Sequence, residues 1–345
     1  MATPASQGFW QPAEWEPHWA CWLAFPSHAD LWGDRLAGTR AEFVDLCRAI
    51  ADPNPATGQL QGEQLEILVL DQAGLATAEQ MLVGLNPRFH IMPFGDIWLR
   101  DTGSIFLKHA EGAIATVRFQ FNGWGGKYNL PGDEQVASQI AQITGLPEFE
   151  LPFVLEGGAI ETDGQGTCLT TSQCLLNPNR NPGLSQTEIE QALQAGLGVQ
   201  KVLWLQAGLL NDHTDGHVDT LARFVAPGVV MCMQPQVDDP NAPALNQIAA
   251  DLATFSDAQG RPLQVVGVPS PGKVLDQTGE IMPASYMNFY IGNRTVVVPT
   301  YGSEFDSAAV AKIAEFFPTR RTVGLSAKQI LFGGGSFHCI TQHQP

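Results

Sequence analysis

Five short stretches of the chain are rich in residue types that can do chemistry. Residues 95–103 carry Asp96, Trp98 and Asp101, and residues 155–159 carry Glu156. Residues 213–219 carry His213, Asp215, His217 and Asp219. Residues 284–289 carry Tyr286, and residues 333–339 run from three glycines to Cys339. A thiolate is a nucleophile, an imidazole moves protons, and carboxylates grip cations. The steps Asp101 to Glu156, then to His217, Tyr286 and Cys339, are 55, 61, 69 and 53 residues. Near-even spacing implies one structural unit used five times. If each unit delivers its polar stretch to a common axis, one pocket collects Asp101, Glu156, His217, Asp219 and Cys339. The glycines before Cys339 allow close approaches that a side chain would block.

A metal offers a rival reading of residues 213–219. A His-x3-His-x-Asp pattern, with Asp215, is shared with metal-dependent hydrolases. On a helix, His213 and His217 would share a face. Gly216 and the β-branched Val218 instead indicate an extended stretch, with His217 and Asp219 on one side. A thiol, an imidazole and free carboxylates need no metal, so the reading adopted has neither metal nor cofactor.

The elements that must position these residues repeat as strand, helix, strand and polar stretch. Strands are expected at 64–70, 89–94, 114–121, 149–154, 167–171, 201–205, 229–233, 263–268, 295–299 and 322–325. Helices are expected at 76–85, 134–143, 185–193, 245–255 and 307–317. Ser185 and Glu188 form a capping-box signature at the third of these. Alternating strands and helices mean an α/β class. An ordinary doubly wound sheet also alternates them, but it does not explain a polar stretch after every second strand.

The composition fits one enzyme-sized unit, and a single domain over residues 1–345 is expected. Stretches such as 52–58 and 269–272 read as surface loops. The net charge is −17, from 18 basic and 35 acidic residues. That field repels nucleic-acid backbones and anionic membranes and attracts a small cationic substrate. The N-terminus lacks a basic stretch followed by an apolar core, and no apolar run is long enough to span a bilayer. The six cysteines show no zinc-finger spacing. Cys21, Cys47, Cys168, Cys174 and Cys232 sit in apolar contexts as small hydrophobes. A reducing cytoplasm is the expected location.

At residues 11–18, 96–103, 121–128, 155–158, 177–182, 214–219 and 333–345 the chain resembles the agmatine deiminase branch of the guanidine-modifying enzymes. These are the pentein or α/β-propeller superfamily, which includes the bacterial-type peptidyl-arginine deiminases. The similar stretches run in the family's order from residue 11 to the last. The resemblance implies a five-bladed α/β-propeller of ββαβ-type units around a pseudo-fivefold axis. It implies hydrolytic deimination through a covalent amidino-cysteine, with agmatine giving N-carbamoylputrescine and ammonia in putrescine synthesis. Cys339 would be the nucleophile, His217 the proton shuttle, and Glu156, Asp101 and Asp219 the groups that hold the guanidinium. Asp96, Trp98, Trp124 and His213 would complete the substrate site, although Asp96 reads equally well as a structural group.

Three departures bear on the substrate. His213 stands four positions before His217, where agmatine deiminases usually carry an acid for the distal amine. Residues 276–283 form a shorter segment than usual, and Ser104 replaces a frequent proline. Arginine or peptidyl-arginine therefore remain alternative substrates, and an amidinotransferase remains an alternative reaction. The sequence leaves open whether copies of the chain assemble into a homo-oligomer.

Overall fold

The computed structural model describes residues 2–345. The chain forms five separate β-sheets flanked by helices, so the expected α/β class is observed. There is no single doubly wound sheet among the described residues.

Four of the sheets are built to one plan. Ile105–His109 pairs antiparallel with Ile114–Gln120; the helix Asp133–Thr144 then carries the chain to Glu148–Val154, parallel to the second strand. Glu161–Thr162, Thr167–Thr171, the helix Gln186–Leu197 and Lys201–Leu205 repeat the plan. So do Ala222–Ala226, Val229–Gln234, the helix Ala242–Thr254 and Gln264–Pro269. Tyr290–Ile291, Thr295–Thr300, the helix Asp306–Ala314 and Arg321–Ser326 complete the set. In the fifth sheet the C-terminal Gln342–Gln344 lies antiparallel to Ala20–Ala24, which runs parallel to Gln64–Val69 across the helix Leu36–Ala51. Arg88–Ile91 extends this sheet. The two ends of the chain thus share one sheet.

The repeat differs from the expected one by a short leading strand in each unit. Glu161–Thr162 and Tyr290–Ile291 have two residues each, too few for an alternating pattern to register. Every polar stretch lies where the chain leaves one sheet and enters the leading strand of the next. Asp101 precedes Ile105–His109, Glu156 precedes Glu161–Thr162, His217 precedes Ala222–Ala226, and Cys339 precedes Gln342–Gln344.

Local chemistry sets the helix ends. Ser185 accepts from the Glu188 amide, and Glu188 reaches back to the Ser185 amide, as its motif requires. Helix 76–85 instead begins at Gln72, because the Asp71 carboxylate accepts from the Gly74 amide at 2.7 Å. Gln186–Leu197 buries Ile189, Leu193 and Leu197, one apolar stripe at four-residue spacing, against Leu175 and Phe119 in the same cluster. Truncating such a leucine costs about 2–5 kcal/mol.

Candidate active site

Three of the five inter-sheet stretches meet around Gly158. A Cβ built there would lie 2.6 Å from His217 Nδ1, 2.9 Å from Asp101 Oδ1 and 3.1 Å from Asp219 Oδ2. The structure therefore brings Asp101, His217 and Asp219 to one point, and only glycine leaves them room to face one another. Glu156 sits two residues earlier, fully buried like His217 and Asp219.

Cys339 joins this cluster through Asp219 and Asn288. Its Sγ lies 3.4 Å from Asp219 Oδ2 and 3.1 Å from Asn288 Nδ2. The same Asn288 amide nitrogen donates to Asp219 Oδ2 at 3.1 Å, and its Oδ1 accepts from the backbone N–H of His338 and Cys339. One side chain thus fixes both the thiol and the carboxylate beside it. Tyr286, the spacing marker of the same stretch, turns away to donate to Asp306 Oδ1 at 2.6 Å.

Asp101 is held by its neighbours' N–H groups. Trp124 Nε1 donates to Oδ2 at 2.8 Å and the Gly158 amide to Oδ1 at 2.9 Å. Trp124 adopts φ 52°, uncommon for so bulky a residue, in the turn closed by the Asn122 side chain and the Gly125 amide. Asp96 is engaged on both oxygens, by Trp32 Nε1 and Trp98 Nε1 at 2.9 Å each. These bonds fix the orientation of the two indoles.

Glu156 accepts from Arg180 Nε at 2.6 Å. Arg180 also donates to Asp215 and to the Thr214 carbonyl, which ties Glu156 to the His217 stretch. Asn288, Arg180 and Trp32 were missed as site residues. Asn288 and Arg180 lie inside stretches that stood out in the sequence, but nothing local distinguishes a contact that only the fold creates.

A cavity of about 230 Å³ leads to Cys339 and Asp101. Its walls include Trp32, Asp96, Trp98, Trp124, Tyr128, His213 and Phe332. Among the described residues, no arginine or lysine lines it. Gly333, Gly334 and Gly335 form one wall, and a Cβ at Gly335 would lie 2.6 Å from the Trp98 ring and 3.1 Å from Cys339 Sγ. Glu156, His217 and Asp219 are not on the walls, so the site has an open part and a deeper buried part. His213 stacks on Tyr128 at 5.9 Å, with Nδ1 3.3 Å from the tyrosine hydroxyl.

The rival metal set does not assemble. Asp215 is paired with Lys127 at 2.7 Å and with Arg180 at 2.9 Å, and His213 faces Tyr128. Glu156, Cys174 and His217 do place donor atoms within 4.8 Å of one another. The Arg180 guanidinium already balances that glutamate.

Electrostatics describe a site short of positive charge. Burial raises the Asp101 carboxyl above its usual range; His217 and Trp124 oppose this, while Asp219 and Glu156 add to it. Burial also pushes the Cys339 thiol well up, and the charges of Asp219 and Asp101 push it further. Burial alone would raise Asp219, but hydrogen bonding and charge from His338, with the charges of His217 and Arg223, outweigh it and hold Asp219 below its usual value. Glu156 Oε2, Asp219 Oδ1 and both His217 ring nitrogens are buried without a hydrogen-bond partner. Buried polar atoms rarely stay unpaired, so these atoms keep hydrogen-bonding capacity that the protein itself does not use.

Known proteins share the sequence and fold of this chain. The family model for Porphyromonas-type peptidyl-arginine deiminase matches residues 10–345. An agmatine deiminase of Ectopseudomonas mendocina is 37% identical, over 99% of this chain and 97% of that protein. The solved agmatine deiminase of Enterococcus faecalis superposes with a TM-score of 0.91 at 35% identity, covering 100% of this chain and 98% of that one. A C. jejuni agmatine deiminase solved as a cysteine-to-serine variant with substrate bound superposes with a TM-score of 0.87 at 25% identity, covering 97% and 96%. No helix among the described residues is long and apolar enough to cross a membrane. By its matching residues, its fold and its relatives, this chain belongs to the Porphyromonas-type peptidyl-arginine deiminase family.

Proposed function

We propose that the chain hydrolyses the guanidine group of agmatine to give N-carbamoylputrescine and ammonia. The observation that carries this reading is the set of unpaired buried acceptors, Glu156 Oε2 and Asp219 Oδ1, beside Asp101 and behind Cys339. A planar guanidinium brings one positive charge and five N–H donors to such a set. Its arrival compensates the carboxylates and so favours the Cys339 thiolate.

The thiolate attacks the guanidinium carbon. His217 gives a proton to the departing nitrogen, the C–N bond breaks, and ammonia leaves an amidino-cysteine. Water then attacks that carbon and passes a proton to His217. The C–S bond breaks, the thiolate re-forms, and the ureido product is released. Asp101, Glu156 and Asp219 keep the carbon in line with sulfur throughout. No metal or cofactor enters either step.

Two features favour agmatine over arginine. Full-length relatives carry that name, and no lysine or arginine among the described residues lines the cavity to receive an α-carboxylate. The aromatic walls suit a tetramethylene chain and can hold its distal ammonium over their faces. The five sheets are read as the blades of one closed α/β-propeller domain, supported by the pairing of Gln342–Gln344 with Ala20–Ala24. Ureido-product assays with agmatine, arginine, an arginine-containing peptide and shorter guanidines test the reading. Agmatine is expected to show the highest kcat/KM, unchanged by chelators. A clear preference for arginine or a peptide would overturn the substrate, and loss of activity restored by one metal would overturn the mechanism.

A further inference from the structure

Beneath the active site lies a buried charge network that the reaction described above does not use. Its centre is Glu14, from the N-terminal segment. Arg100 Nη1 meets Glu14 Oε1 at 2.9 Å, and Arg223 Nη2 donates to Glu14 Oε2. His338, next to the nucleophile in sequence, has both ring nitrogens on carboxylates: Nε2 on Glu14 Oε1 at 2.7 Å and Nδ1 on Asp219 Oδ2 at 2.8 Å. Satisfying both acceptors takes a proton on each nitrogen. The ring is buried and cannot turn to water.

The consequence falls on Asp219. Its Oδ2 receives His338 Nδ1, Asn288 Nδ2 and the Cys339 thiol. Its Oδ1 is left buried and unpaired. We propose that His338, anchored by Glu14, is a positioning residue that turns Asp219 so that Oδ1 faces the guanidinium site and keeps it ionised beside the nucleophile. The inference rests on the reading of the site as a guanidine site and names a second tier of residues that makes it competent.

The groups facing this pair are few. Around Asp219 stand His338, His217, Arg223, Cys339 and Asp101. Around His338 stand Glu14, Asp219 and Glu161, the last within 4.8 Å and paired with Arg223 at 2.9 Å, with Arg100 Nε 3.4 Å from the His338 carbonyl and Arg223 and His343 reaching Glu14. His343 accepts from Arg100 Nη2 at 3.0 Å, and burial holds its ring well below the usual histidine range, so it stays neutral. His338 is therefore the cation that touches Asp219 directly.

The test compares alkylation of Cys339 by chloroacetamidine, a small amidinium, with alkylation by neutral iodoacetamide. Wild-type enzyme is expected to react much faster with the amidinium; equal rates would overturn the guanidine-site reading itself. His338→Gln places its amide towards Glu14 and removes the imidazole donor from Asp219, leaving only Asn288 and the thiol on Oδ2. It is expected to lose roughly 10- to 100-fold of the amidinium rate, the equivalent of one hydrogen bond to a charged group. The acid limb of that rate is expected to move to higher pH, because Asp219 loses the cation that favours its charged form. His338→Asn keeps a donor near Nδ1 and is expected to retain most of the amidinium preference. Glu14→Gln, which leaves the ring in place, should shift the limb in the same direction and serves if a His338 variant does not fold. Folded variants that keep the wild-type preference and pH profile, or His338→Gln and His338→Asn losing equally, would overturn the proposal.

Discussion

At the scale of single residues, Cys339 is set apart from Cys21, Cys47, Cys168, Cys174 and Cys232 by its neighbours. All six are buried, but only Cys339 touches Asn288, Asp219 and the cavity. Cys339→Ala is expected to cut turnover by roughly 10⁴-fold or more while sparing the fold and guanidine binding. Calorimetry with agmatine and a ureido assay check the two halves. The pH behaviour follows from the raised thiol. Burial and the Asp219 and Asp101 charges favour its neutral form, so in the free enzyme the thiolate becomes abundant only at alkaline pH. Iodoacetamide alkylation is expected to be slow at pH 7 and to climb with pH, and a bound guanidinium analogue should move that rise towards neutrality. An alkylation rate that plateaus below pH 7 without analogue contradicts this. Asp101, Glu156, His217, Asp219 and Cys339, which the sequence grouped because their motifs are dense and local, lie together in the fold. The sequence could not distinguish Asp96, whose partners Trp32 and Trp98 are brought together by folding. His213 lines the cavity, and His213→Glu is expected to raise kcat/KM for agmatine relative to arginine.

At the scale of elements, the site depends on tight turns. Gly335→Ala would bring a methyl against the Trp98 ring and Cys339 Sγ. It is expected to lower kcat by at least about tenfold with little loss of thermal stability, since the turn can shift outwards while the thiol moves with it. Steady-state kinetics beside a melting curve separate these effects. Leu193→Ala, buried on the helix Gln186–Leu197 away from the cavity, should do the opposite. It is expected to lose about 2–5 kcal/mol in urea unfolding and to keep wild-type kcat when folded. The capping box at Ser185 was legible because its two bonds are three residues apart. The helix expected at 245–255 begins at Ala242 instead, with a proline in its first turn, and the leading strands of two residues escaped notice. Their length is fixed by pairing with a hairpin partner, which periodicity does not record.

At the scale of the whole molecule, the near-even spacing of polar stretches encodes the joins between sheets. The α/β alternation was legible for the same reason. The joint use of one sheet by both chain ends was not, since Gln342–Gln344 pairs across 322 residues with Trp22 and its neighbours. Deleting residues 342–345 removes that strand and the Gln342 and His343 contacts to Arg100, so melting should fall by several degrees and activity with it. The central claim, that Cys339 carries the substrate's amidino carbon during turnover, is tested most directly by acid-quenching the enzyme with excess agmatine and mapping the adduct by mass spectrometry. The account expects the peptide containing Cys339 to gain the mass of agmatine less ammonia, and no such gain in Cys339→Ala. Steady ureido production with Cys339 unmodified, or undiminished in Cys339→Ala, would contradict it.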